Sequence, residues 1–329
     1  MRKIDIAILC GILGLTAASG AQAQAWLTID LPGSTGQIAQ VGGISAHNTI
    51  AGFYWRNDGT RPGFVRTSDG TVTTFVPVDG AQTVVTGINA KDDVVGYTFG
   101  GGSPAFVRSA DGTTVTFNVS ATTVAACIND KGQVAGTYQN GRTFDGFVRD
   151  ADGTVHVFPT PDGTSFNVGA INNKGIVAGS YHASTHGFLR SRKGAITTFD
   201  IPGASAVFVR GLTNGGVVAG YYVDSSRVDH GYVRQADGRV ETFDAPDADS
   251  TLAMGINPDG IVVGYYTTGG TAHGFARSPS GAFAILDAPL GVISTQLYSV
   301  APDGKMVGVY YDAGGAPHVT RANAALTGF

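Results

Sequence analysis

Glutamate is nearly missing from this 329-residue chain, in which Glu241 is the only one. That excludes a two-glutamate glycosidase, although aspartates can fill the same roles. Cysteine is almost as scarce, with Cys10 in the N-terminal apolar run and Cys127 alone thereafter. A chain that has lost its N-terminus can therefore form no internal disulfide, and its stability must come from the core. Basic clusters are absent and the net charge is −4, which does not suit a nucleic-acid partner. No apolar run approaches the roughly 20 residues needed to span a bilayer. The chain carries no Trp-Asp dipeptide, no sialidase-type Ser-x-Asp-x-Gly-x-Thr-Trp box and no Gly-x-Ser-x-Gly elbow.

The abundant residues point elsewhere. Glycine numbers 49, and Val, Thr, Phe and Tyr are common where good helix formers are few. That is the composition of strands joined by tight turns, so an all-β fold is expected. At the N-terminus, Arg2 and Lys3 precede an apolar run from Ile6 to about Ala18, and Ala21-Gln22-Ala23 supplies small residues for cleavage. Residues 1–23 read as a secretory signal peptide, leaving residues 24–329 as one domain in the periplasm or outside the cell. Its loss leaves 19 basic against 24 acidic side chains, a net charge of −5.

The chain repeats itself seven times. "GFVR" at 63–66 returns as "AFVR", "GFVR", "GFLR", "GYVR", "GFAR" and a worn "HVTR", placing arginines at 66, 108, 149, 190, 234, 277 and 321. A glycine following paired aliphatics recurs as Gly52, Gly96, Gly136, Gly179, Gly220, Gly264 and Gly308. Each unit of ~43 residues holds four short β-like runs, A to D, the signature of a seven-bladed β-propeller. The mature chain opens on "LTIDLPG", which matches the end of a repeat such as "TTFDIPG" at 197–203. Residues 27–31 are thus expected to complete the last blade and close the ring, the alternative being that the tail "ANAALTGF" does so. The residue before the branched aliphatic of run A is small in every copy: Gly43, Gly87, Cys127, Ala170, Gly211, Gly255 and Ser299. Run A is therefore innermost, and Cys127 reads as a packed substitute for glycine rather than a reactive thiol.

The pattern "GIN..G.VVGYY....HGF.R....TFD.PGA" resembles the HAF-repeat extracellular proteins of bacteria over nearly the whole mature chain. Here "HGF" stands for the family's His-Ala-Phe, with the histidine kept as His186, His230 and His273 and replaced by Pro62, Pro104, Asp145 and Pro317 in other blades. The resemblance implies secretion and a propeller-like fold. It implies little about activity.

A residue present in every blade is most simply part of the blade. The repeated arginines are expected to bond turn aspartates or carbonyls. Tyrosines two after the run-B glycine (Tyr54, Tyr138, Tyr181, Tyr222, Tyr266, Tyr310) are expected to pack between blades, with a ligand-stacking ring as the other reading. Run C lies roughly 17 Å from the axis, so equivalent histidines stand about 15 Å apart and cannot share one metal. "GINPDGIVVGYY" at 255–266 has a phosphate-loop glycine spacing, but Ile261 and Val262 stand where such a loop needs Lys and Ser or Thr. No metal or cofactor is expected. The A-to-B and C-to-D turns are stereotyped, whereas the B-to-C and D-to-A loops on the other face vary, and binding residues gather on variable loops. Candidate ligand-binding residues are Trp55, Arg56, Tyr181, Tyr222, Arg227 and Tyr266. Candidate catalytic residues are His182, His186, His230, Asp224 and Tyr222. Two functions follow as expectations: a secreted, monomeric binding propeller for a glycan, small ligand or protein, or a secreted polysaccharide lyase or hydrolase.

Overall fold

The computed structural model describes residues 25–100, 102–182, 185–289 and 292–323, so the expected signal peptide lies outside the described residues. Seven four-stranded antiparallel sheets form a ring, a seven-bladed β-propeller. Blade 1 comprises β2 (Ser34–Ile44), β3 (Ile50–Arg56), β4 (Gly63–Arg66) and β5 (Val72–Phe75). Blades 2 to 6 repeat this order through β6–β9 (residues 82–117), β10–β13 (123–158), β14–β17 (166–199), β18–β21 (204–243) and β22–β25 (250–285). Blade 7 joins β26 (Val292–Val300), β27 (Met306–Asp312) and β28 (Pro317–Asn323) to β1 (Ala25–Ile29).

Closure by the N-terminal strand is thus real, with the strand at 25–29 rather than 27–31. Ala25 faces Asn323 and Ile29 faces Val319. Ile29 is buried with Ile44, Ile50 and Phe64 of blade 1, while Trp26 packs against the cluster between blades 6 and 7. One apolar cluster fills each of the seven blade interfaces.

The repeated glycines exist to receive rings. A Cβ on Gly264 would run into the Leu252 carbonyl oxygen and the Phe275 ring, and the same holds at Gly52 and Phe64. Phe64, Phe106, Phe147, Phe188, Tyr232 and Phe275 are accordingly buried to completion beneath run B. The Asn of "GIN" ties neighbouring blades. In blade 2, Asn89 Oδ1 accepts from the backbone N–H of Lys91 and Asp93, while its Nδ2 donates to Asn129 O of the next blade. Asn129, Asn172 and Asn257 repeat this latch.

The arginines hold blades together differently from expectation. Each Nη1 donates to the carbonyl of the following residue, as in Arg190 to Ser191, so the carbonyl half of the expectation stands. The turn aspartates instead accept backbone N–H bonds from their own turns, Asp111 from Thr113 and Asp152 from Thr154. Five of the guanidinium groups lie over the run-D phenylalanine of the preceding blade: Arg108 on Phe75, Arg149 on Phe117, Arg190 on Phe158, Arg234 on Phe199, Arg277 on Phe243. Arg277 is also ion-paired with Glu241, the lone glutamate. Arg321 does not belong to this set. Gly308 faces Thr320 where Gly264 faces Phe275, so the seventh copy is shifted by one: Ala322 occupies the arginine register, and His318 that of His273.

Candidate functional site

The outer rim of the variable face carries Tyr–His–Asp groups at the expected positions, and the ring repeats them. His186 Nδ1 lies 2.6 Å from Asp200 Oδ1, His230 Nδ1 2.8 Å from Asp244 Oδ1, and His273 Nδ1 2.8 Å from Asp287 Oδ2. Their rings lie against Tyr181, Tyr222 and Tyr266 at 5.3, 5.0 and 5.3 Å. The partners face one another across strands C and D, and they vary together: blades without the histidine have Val76, Asn118 or Pro159 in place of the aspartate. A pair that comes and goes together is a cross-strand brace.

His230 is the fullest example, since Asp224 Oδ2 approaches its Nε2 at 3.6 Å. Structure therefore gathers Tyr222, Asp224 and His230, but His318 with Asp312 (3.0 Å) and Tyr310 (4.9 Å) repeats the arrangement in blade 7. His182 is bound to Asp162 at 2.7 Å in the neighbouring loop. Tyr181 and Tyr266 are buried between blades. Arg56 turns back into blade 1, donating to Tyr54 Oη and to Thr74 Oγ1. Arg227 stands exposed at a hairpin tip with φ of 67°. Trp55 faces the other way, and the Arg61 guanidinium lies 5.3 Å from its ring and 5.1 and 5.4 Å from Phe53 and Phe99. Burial depresses the Arg61 pKa. Among the described residues no three His, Cys, Asp or Glu side chains are grouped to hold a metal. Burial pushes the Cys127 thiol up to about 12.

The irregular part of the ring lies inside it. All seven inner strands share a slip of the pairing register, a β-bulge immediately before the small residue of run A. A bulge leaves one residue unpaired and re-aims its side chain. The seven bulged residues are Gly42, Thr86, Ala126, Gly169, Arg210, Met254 and Tyr298, and all line one chamber of about 540 Å3 in the channel. The chamber lies towards the starts of the inner strands, hence on the face of the variable D-to-A loops. Four small residues occupy blades 1 to 4, and a cation, a thioether and a phenol occupy blades 5 to 7. The ring is symmetric in backbone and lopsided in chemistry.

Aromatic side chains support the large half. The Arg210 guanidinium lies 5.3 Å from the Tyr221 ring and 6.0 Å from that of Phe208, and its Nη2 donates to Tyr221 Oη at 3.1 Å. Phe208 and Tyr221 stack at 4.8 Å, and Tyr265 meets Tyr298 edge to face at 6.2 Å. Tyr298 Oη donates to Gln296 Oε1. Burial raises the pKa of Tyr97, Tyr265 and Tyr298, so all three remain neutral phenols. Tyr97, Tyr221 and Tyr265 follow the run-B glycine by one residue, not two. That neighbouring column, with Phe53, Thr137, Ser180 and Val309, varies along the chain, and its irregularity was the available sequence signal.

No family model matches the chain, and no curated protein matches it. Two solved structures of virginiamycin B lyase from Staphylococcus aureus are similar to it. One is a catalytically inactive variant with quinupristin, 14% identical, with a TM-score of 0.62 over 91% of this chain and 99% of the other. The second, selenomethionine-substituted, is 12% identical, with a TM-score of 0.61 over 91% of this chain and 98% of the other. Such identity carries a likeness of fold alone: the chain shares the propeller architecture of these proteins.

Proposed function

We propose that the protein is a secreted binding propeller of the HAF-repeat type, taking a glycan or similar small ligand in the channel chamber on its variable face. The supporting observation is the lopsided ring of bulged residues. Blade architecture requires a bulge there but not Arg210, Met254 or Tyr298, since Gly42 and Gly169 serve the same backbone. A volume of about 540 Å3 falls within the roughly 300–1,000 Å3 typical of small-ligand sites. Binding is favoured over catalysis because, among the described residues, no histidine, aspartate or glutamate lines the chamber. The histidines named above are engaged in rim braces, which leaves the lyase or hydrolase reading without an acid–base pair at the cavity.

Glycan-array screening followed by titration calorimetry tests this. Ala126→Phe, which fills the chamber opposite the large residues, should abolish binding while leaving the melting temperature within a few degrees. His186→Ala on the rim should bind like the parent. Binding that survives Ala126→Phe and fails in His186→Ala would reverse the assignment.

A further inference from the structure

Among the described residues, Arg210 is the only charged one lining the chamber, and it sits in an acidic protein. None of the ion pairs among the described residues involves it. Among the described residues its one side-chain hydrogen bond goes to a phenol, and two aromatic faces hold its plane. The contrast with the repeated arginines is direct. Arg277 is buried at a blade interface and matched by Glu241, whereas Arg210 is exposed to the channel. A guanidinium carries five donors in a rigid fork, and stacking on rings fixes the direction of that fork without satisfying it. What it matches is a planar, two-oxygen anion. Tyr97 and Tyr298 line the same chamber and offer flat apolar faces with hydroxyl tips.

We propose, resting on the chamber as the binding site, that its ligand is a ring-borne carboxylate. The carboxylate takes the free donors of Arg210, and the ring lies against the aromatic wall. A uronic-acid sugar and an aromatic acid share this chemistry. Binding forms no covalent bond and needs no co-reactant.

The test compares each acid with its neutral methyl ester: trigalacturonate for the sugar class and 4-hydroxybenzoate for the aromatic class, by calorimetry on the mature protein. For one pair, the acid should bind at least about ten-fold more tightly than the ester. Arg210→Gln should erase that preference while holding ester affinity within about two-fold, and Arg210→Lys should restore part of it. Arg239→Gln removes an equal charge from the opposite face and should leave the preference intact. Which pair responds identifies the source. Acid and ester bound equally by the parent, or a preference retained in Arg210→Gln, would overturn the carboxylate assignment while leaving the chamber as the site. Failure of all four probes would also overturn it, and the array with Ala126→Phe would then decide the chamber separately.

Discussion

At the scale of the residue, each repeated side chain has a mechanical task. Stacking Arg190 on Phe158 at 4.5 Å couples blades 3 and 4. A double-mutant cycle between them should give about 0.5–2 kcal/mol, the range for cation–π pairs as they lose water. Gly264→Ala is expected to cost about 1–3 kcal/mol or more in urea unfolding, because a Cβ there meets the Leu252 carbonyl, which cannot move without breaking the ladder. The turn aspartates contribute to the pH dependence of stability. Backbone N–H bonds from Thr113 and Thr154 hold Asp111 and Asp152 below the ordinary carboxylate pKa. A depressed folded pKa stabilises the fold above the unfolded value of about 3.9, and that contribution disappears as pH falls through the folded value. Circular dichroism should therefore show stability falling below about pH 4, less steeply in Asp111→Asn and Asp152→Asn. The presence of the arginines was legible in the sequence. Their partners were not, because contacts between blades join residues about 40 positions apart and leave no local pattern.

At the scale of the element, β1 is the most exacting case. It is the outer strand of blade 7 and touches two core clusters through Ile29 and Trp26. Deleting residues 25–30 should cost roughly 2–5 kcal/mol from that lost burial. It should also bare the edge of β28, so aggregation should rise alongside the fall in melting temperature. The sequence pattern "LTID" fixed this pairing to within two residues, since a repeat fragment at one end calls for its missing partner at the other. The seventh blade was harder. "HVTR" aligns equally well by its arginine or by its histidine, and only the hydrogen-bond register shows that His318 keeps the brace position and Arg321 falls beside it. The inner-strand bulges were also hidden. A bulge is defined by pairing, and "VFVRGL" at 207–212 reads as a plain apolar run interrupted by one arginine.

At the scale of the whole molecule, a closed ring of near-identical blades gives rigidity, and its departures from repetition give chemistry. On the rim of the variable face, Tyr222, Asp224 and His230 stand together. Those residues meet, yet blade 7 builds the same group from Tyr310, Asp312 and His318. The departures that line a cavity lie one residue before the small position of the inner strands, where the axis gathers seven side chains that are far apart in sequence. A crystal structure of the protein with the best-binding glycan or acid tests this most directly. The ligand is expected in the channel chamber, with an oxygen at hydrogen-bond distance from the Arg210 guanidinium and a ring against Tyr298. A ligand seated on the rim at Tyr222 and His230, or on the face of the A-to-B turns, would contradict it.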